Sequence, residues 1–283
     1  MSDVLVLGST GTTGSRVTQL LHERGAQYRA ASRTPTSADQ IEFDWLDHGT
    51  HAAALDGVRA VYLVAPVGVA DPLPLVRKFL KQALQQGVRR VVALSSSALD
   101  RGAPGLGKIH DAVATEIPEW AVLRPSWFMQ NFRGSSALAA GVSAGETVSA
   151  TGDGRIGFVD AGDIAAVAVH ALLDEQSHNT DHIITGPEAL SYSDAARIIA
   201  NHTGKPLRHK SISVDELAQL HIDGGLPPEY APILAALDAA IATGSEDRVT
   251  DVVARIAGRA PRSFEHFVAG TFPPFGRSPG RRP

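Results

Sequence analysis

The sequence predicts an α/β fold: a doubly wound, mostly parallel sheet with a smaller, mainly helical C-terminal region. Three observations predict it. Short apolar runs alternate with helix-length segments up to about residue 125. The first apolar run ends in a glycine-rich loop that opens a helix. Past that alternating part, helical spacing takes over.

Val4-Leu5-Val6-Leu7 is a continuous apolar run ending in Gly8, the pattern of a strand buried on both faces. Val17, Leu20 and Leu21 then recur at helical spacing, and Gly25 stops that helix. Strands are predicted over 28–32, more weakly over 41–43, and over 60–64, with a helix ending near Leu55. A helix over 72–86 closes at Gly87, and a strand over 90–94 runs into Ser95-Ser96-Ser97. A helix over 108–117 and a strand over 120–123 complete the series. Repeated units of this length imply a parallel sheet with helices on both faces. Gly, Ala and Ser dominate 134–154; a helix over 163–173 and a strand over 182–184 then return to the main sheet. Helices are expected over 193–200, 214–220, 230–242 and 248–256.

Composition narrows the function classes. A chain of 283 residues accommodates one large domain, or a nucleotide domain plus a smaller one. Hydrophobic residues at 43% and charged residues at 20% suit a globular protein rather than a disordered one. The absence of Cys excludes disulfides, thiolate catalysis and thiolate metal sites. A net charge of −4 argues against nucleic acid as a partner. No apolar run approaches the roughly 20 residues of a membrane span, and no leader peptide is read at Met1-Ser2-Asp3. The expected compartment is the cytoplasm.

The loop Gly8-Ser9-Thr10-Gly11-Thr12-Thr13-Gly14 follows a predicted strand and opens a predicted helix, the context that phosphate binding requires. Gly8 permits a tight turn, Gly11 lets backbone approach a pyrophosphate, and Gly14 allows close helix–sheet packing. Free N–H groups at the helix start face the phosphate oxygens, and the hydroxyls of Thr10 and Thr13 add donors. The spacing Gly-x-x-Gly-x-x-Gly is that of short-chain and extended dehydrogenases on a Rossmann-type sheet.

The second strand selects the cofactor. An NAD site places Asp or Glu at its end, to bind the ribose 2′-OH. Here the strand ends Ala30-Ala31-Ser32-Arg33. Arg33 offers forked donors to a 2′-phosphate and a plane to stack on adenine, or is one more surface arginine; Ser32, with Thr34 or Ser37, adds hydrogen bonds. NADP is therefore expected over NAD. Asp44 is placed to meet the adenine amino group, or is a surface carboxylate. Ala65-Pro66 borders the nicotinamide ribose, or is a plain turn. The division expected is an NADP-binding domain over 1–155, a substrate-binding region over 156–272 packed on the sheet edge, and a loose tail over 273–283.

Oxidoreductases with this loop commonly use Tyr-x-x-x-Lys as an acid/base pair. Four residues after Tyr28, Tyr62, Tyr192 and Tyr230 stand Ser32, Pro66, Ala196 and Leu234, so the pair is absent. Where it would lie the sequence has Gly107-Lys108-Ile109-His110. Lys108 is a candidate contact to the nicotinamide ribose and His110 a candidate proton relay; both are equally readable as solvated residues at a helix start. Ser95 and Ser96 order the ribose or substrate, or cap their strand.

Leu123-Arg124-Pro125-Ser126-Trp127-Phe128-Met129-Gln130-Asn131-Phe132 resembles the NmrA-like family of atypical short-chain dehydrogenases. Asp160-Ala161-Gly162-Asp163-Ile164-Ala165, the 183–192 stretch and Gly258-Arg259-Ala260-Pro261-Arg262-Ser263-Phe264 share the resemblance. Within that family the chain most resembles ergot-alkaloid reductases of the festuclavine/agroclavine dehydrogenase type, with type-2 quinone oxidoreductases close behind. The resemblance implies that Ser126, Trp127, Phe128 and Met129 pass beside the nicotinamide and that Lys108 touches the cofactor. It implies a substrate cleft between the sheet edge and the C-terminal helices, with Trp127, Phe128 and Asn131 facing a flat aromatic or heterocyclic small molecule. On the residues alone, Trp127 and Phe128 are equally core residues. The Gly224-Gly225 turn and the helix after it supply a lid, core packing or a homodimer contact.

The expected activity is NADPH-dependent hydride transfer to an iminium, imine or quinone; an iminium already carries positive charge and a quinone can take protons from water, so neither of these demands an enzymic tyrosine. The alternative is an NADP(H)-sensing regulator without turnover, since the NmrA-like family includes such proteins. A metal site at His48-x-x-His51 is disfavoured, because no Cys or His-Glu-x-x-His pattern accompanies it.

Overall fold

The computed structural model describes residues 4–69 and 71–274. The tail expected over 273–283 lies outside this range from residue 275 onward. The described residues divide into two compact units. One is drawn from Met1–Pro125, Ala161–Ile184 and Asp251–Arg259, the other from Ser126–Asp160, Thr185–Thr250 and Ala260–Pro283. Both are discontinuous in sequence, whereas the sequence reading drew a single boundary at residue 155.

In chain order the elements begin with β1 (Val4–Val6), α1 (Gly14–Glu23), β2 (Tyr28–Ser32), β3 (Gln40–Glu42), α2 (His51–Leu55) and β4 (Ala60–Leu63). Next come α3 (Leu73–Gln85), β5 (Arg90–Leu94), α4 (Leu106–Glu116) and β6 (Glu119–Pro125). α5 (Ala137–Ala144), β7 (Glu146–Ser149), α6 (Ala161–Leu173), β8 (Thr180–Ile184) and α7 (Tyr192–Thr203) follow. The chain closes through β9 (Arg208–Ser211), α8 (Val214–Asp223), α9 (Ala231–Ala242), α10 (Val252–Ala257) and α11 (Phe264–Thr271).

The first unit holds a seven-stranded sheet in the order β3-β2-β1-β4-β5-β6-β8, every neighbouring pair parallel. Its strands are apolar because both faces are covered. Leu5, Leu7, Val61, Leu63, Val91 and Ala93 pack with Phe79 and Leu80 of α3 and Val113 of α4. α6, almost wholly buried, packs against β4, β5 and β6 and against α1 and α10. The order reverses between β1 and β4, so the carboxyl ends of these strands border a crevice, the ligand position of such sheets.

The second unit has a core of Phe132, Phe158, Tyr192, Phe264 and Phe267. Capping boxes at Ser191–Asp194 and Ser213–Glu216 start α7 and α8. Ser191 is the cap, which places the start of α7 at Tyr192 rather than at the expected residue 193. This unit also carries a two-stranded parallel sheet, β7 with β9, that the sequence did not suggest. The β9 sequence Arg-His-Lys-Ser has no apolar alternation, so only long-range pairing reveals it as a strand. No helix among the described residues is long and apolar enough to cross a membrane.

A histidine on β8 links the fold to pH. His182 is buried and hydrogen-bonded to His178 (Nδ1···Nε2, 2.9 Å), which itself meets Asp174 at 3.2 Å. Burial chiefly, then His178 and Arg255, hold the His182 imidazole at about 4, with Asp181 opposing them. Between that value and the ordinary 6.5, the unfolded chain binds a proton that the folded chain excludes. Stability is therefore undiminished by this group above pH 6.5 and falls as pH drops towards 4, by at most about 3 kcal/mol. Urea unfolding of His182→Asn is expected to show a flatter pH dependence over that window than the native chain; an equal slope would refute the assignment.

Candidate active site

The glycine loop leaves β1 at the switch point and enters α1 by backbone contact. Gly8 has φ +64°, a conformation that favours glycine, and its carbonyl accepts from Gly11 N–H at 2.9 Å. A Cβ on Gly14 would lie 2.1 Å from that same carbonyl oxygen. Only glycine allows helix and turn to approach so closely. Ser9 donates to Ala31 O at 2.7 Å and ties the loop to β2. Tyr62 of β4 donates its buried hydroxyl to Thr13 Oγ1 at 2.9 Å. Thr13 is therefore turned into the fold, while Gly8, Thr10, Gly11 and Thr12 are exposed. No side chain caps α1, and its first turn carries no carboxylate. The start of α1 thus keeps the donors and field that a phosphate needs.

At the end of β2, Ser32 Oγ accepts from Thr34 N–H at 3.2 Å. Arg33 is exposed and forms no ion pair among the described residues. Asp44 is held from three sides: its N–H meets Thr50 Oγ1, its carbonyl meets His51 Nε2, and its carboxylate accepts from Leu46 N–H. The His51 ring stacks on Phe43 at 4.7 Å, so the pair His48 and His51 is packed into an aromatic cluster with Phe43 and Trp45. Ala65 is buried and Pro66 half-buried just past the end of β4.

Past β5, Ser95 N–H donates to Leu123 O at 2.7 Å and Ser97 N–H to Pro125 O at 3.0 Å, extending the ladder with β6. Ser95 Oγ is buried without a hydrogen-bond partner. Lys108 is exposed in the first turn of α4. His110, two residues further on, is only 2% exposed, and burial holds its imidazole below its ordinary value. Burial raises the phenols of Tyr62 and Tyr192 above their ordinary range.

In the second unit, Ser126 is buried and donates to Glu246 Oε2 at 3.0 Å, and Glu246 also pairs with Arg248 at 2.9 Å. Trp127 packs half-buried against the aromatic core, and Phe128 bridges to Val159. Met129 is buried in that core and Asn131 is exposed. Two of the motif stretches prove to be paired by charge. Asp163 meets Arg259 in the first unit, and Asp160 meets both Gln130 (3.0 Å) and Arg262 (3.2 Å) in the second. Glu246 carried no signal in the sequence; it stands in a polar stretch whose burial only the fold reveals.

A family model described as NAD(P)H-binding matches residues 8–175. The chain belongs to the NAD(P)H-binding family. Its glycine cradle and the unpartnered Ser95 hydroxyl fit that cofactor class. The uncharacterized oxidoreductase YesF of Bacillus subtilis is 46% identical over 269 residues, covering 94% of each chain. Agroclavine dehydrogenase of Claviceps fusiformis is 35% identical over 278 residues, covering 94% of this chain and 96% of the relative. A solved NADPH-dependent quinone oxidoreductase of Escherichia coli, complexed with NADPH, superposes with a TM-score of 0.80 at 22% identity, covering 94% of this chain and 99% of that one. At that identity the likeness shows the fold. This family member is an oxidoreductase, and its resemblance to dehydrogenases of the clavine type holds.

Gly14→Ala drives a methyl into the Gly8 carbonyl and is expected to destabilise the protein by about 1–3 kcal/mol. Denaturant unfolding measures this, with the exposed Ser15→Ala as a control. A Gly14→Ala midpoint equal to that control would contradict the close contact. His110→Asn is expected to lower the thermal midpoint while leaving the pH–rate profile unchanged, because the ring is shut away from solvent. A shifted limb in that profile would instead make His110 a proton relay.

Proposed function

We propose that the chain is an NADPH-dependent reductase of flat, conjugated small molecules, of iminium, imine or quinone type, working without a Tyr-Lys acid/base pair. The observation that carries it is the exposed, unpaired Arg33 at the end of β2, beside a complete glycine cradle and with no carboxylate in the NAD-selecting position. The agroclavine dehydrogenase relative and the quinone oxidoreductase neighbour support the substrate class.

NADPH, when bound, supplies the hydride. The residues of the chain then have positioning work to do. Gly8, Thr10, Gly11, Thr12 and Gly14 bring backbone donors to the pyrophosphate, with Thr13 held behind them by Tyr62. Arg33 and Ser32 take the 2′-phosphate, where the fork of a guanidinium matches phosphate oxygens better than an ammonium does. Asp44 meets the adenine, and Ala65 and Pro66 border the nicotinamide ribose. Ser95 and Lys108 bind the same ribose. Ser126, Trp127, Phe128 and Asn131 orient a flat substrate and keep water from it. An iminium carbon is already electron-poor, and a quinone that has taken the hydride needs only one proton, which water supplies, so orientation supplies most of the rate.

Turnover of NADPH with a panel of quinones and cyclic imines tests the reading, beside titrations of NADPH and NADP⁺. The expected result is oxidation of NADPH with at least one class. Tight binding with no turnover on any member would overturn it in favour of a cofactor sensor. Arg33→Ala is expected to weaken NADPH by about tenfold or more while leaving NADH unchanged, as read by cofactor fluorescence. An unchanged NADPH/NADH ratio would remove the 2′-phosphate assignment.

A further inference from the structure

Arg124 stands on β6, paired in register with Ile183 of β8, where an apolar residue is expected in a buried parallel strand. It is only 8% exposed. A buried guanidinium persists only if its donors are met. Here they are met from two directions. On one side, Nη1 donates to Asp181 Oδ2 of β8 at 3.0 Å. On the other, Nε donates to Ser96 O at 3.4 Å, and Nη2 to Ser97 O at 3.3 Å and to Asp100 Oδ1 at 2.8 Å.

Those last three acceptors all belong to the segment joining β5 to α4. Its amides are already tied to β6 through Ser95 and Ser97, so Arg124 secures the carbonyl side of the same residues. Ser95 Oγ is left as a buried hydroxyl with no partner. The far end of the segment is held through Asp100. Its carbonyl accepts from Ala103 N–H at 3.0 Å, and a Cβ on Gly107 would lie 2.3 Å from that oxygen. Gly102 N–H closes the loop onto Gly107 O at 2.8 Å, and Lys108 is the next residue. One guanidinium thereby anchors a segment that has Ser95 at its start and Lys108 at its end.

We propose that Arg124 is a positioning residue that sets the Ser95 hydroxyl and the Lys108 ammonium for the nicotinamide half of the cofactor, an inference that rests on the cofactor reading above. Its charge serves geometry rather than ligand contact. An ammonium at this position keeps the attraction to Asp181 but cannot reach Ser96, Ser97 and Asp100 together, so Arg124→Lys retains charge and releases the segment. The glycine cradle and Arg33, which hold the adenosine half, do not depend on Arg124.

The test compares two ligands on the full chain: NADPH, and adenosine 2′,5′-bisphosphate, which lacks the nicotinamide half. Arg124→Lys is expected to weaken NADPH by about tenfold while leaving the bisphosphate within about twofold. It is also expected to raise KM for NADPH more than it lowers kcat. NADPH affinity unchanged, or both ligands weakened alike, would overturn the proposal; the second outcome is what a merely structural arginine produces. If Arg124→Lys does not fold, Asp100→Ala carries the same comparison, because the Asp100 side chain is 94% exposed and its loss leaves Arg124 paired with Asp181. The same pattern is then expected at about threefold, and equal weakening of the two ligands overturns the proposal. Failure of the underlying cofactor reading looks different. In that case the native chain binds neither ligand, or Arg33→Ala leaves both unchanged, and the Arg124 proposal falls with it.

Discussion

The organisation of the first unit depends on one backbone contact, the approach of the α1 start to the Gly8 carbonyl. A strand that must stop, turn and become a helix within a few residues has no room for side chains between turn and helix. Gly14 supplies that room, and Gly8 supplies the left-handed backbone that points its carbonyl inward. The contact sets the direction of α1 over the sheet. The helix it starts carries no side-chain cap and no carboxylate in its first turn. A glycine loop of this kind is first a consequence of packing.

Polar groups inside the sheet region do the remaining placement. The Tyr62 hydroxyl, buried in β4, finds its partner in Thr13 and so braces the cradle from below. Arg124 braces the segment after β5 in the same sense, from the strand beside it. Each is a costly group to bury and each is hydrogen-bonded, which restricts its neighbours to one arrangement. The second unit repeats the device: Ser126 is fixed by the buried Glu246, and Asp160 by Gln130 and Arg262. Residues that the sequence suggests as ligand contacts are thus backed by residues that the sequence leaves unmarked.

Most of the first unit was legible in the sequence because its signals are local. The strand at 28–32 and the helix ending at Leu55 coincide with β2 and α2, and the return of 163–173 and 182–184 to the sheet appears as α6 and β8. Apolar runs and glycine stops report burial on both faces without reference to distant residues. The second unit was less legible. β7 and β9 are polar and short, and pairing between residues some sixty positions apart leaves no local pattern. His110 shows the same limit. Its position near a helix start left it readable as a proton relay or as a solvated residue, and the fold buries it.

By itself, then, the sequence determined the glycine-rich loop, the parallel sheet, the arginine in place of a carboxylate after the second strand, and the lack of any Tyr-x-x-x-Lys spacing. Each of these is a matter of residue type at a short spacing. Only the tertiary structure decided which polar side chains are buried and whom they meet: Thr13 with Tyr62, Ser126 with Glu246, and Arg124 with the segment between Ser95 and Lys108. The physical reason is that desolvation and hydrogen-bond satisfaction are set by neighbours in space, and in each of these cases those neighbours lie more than twenty residues away in the chain.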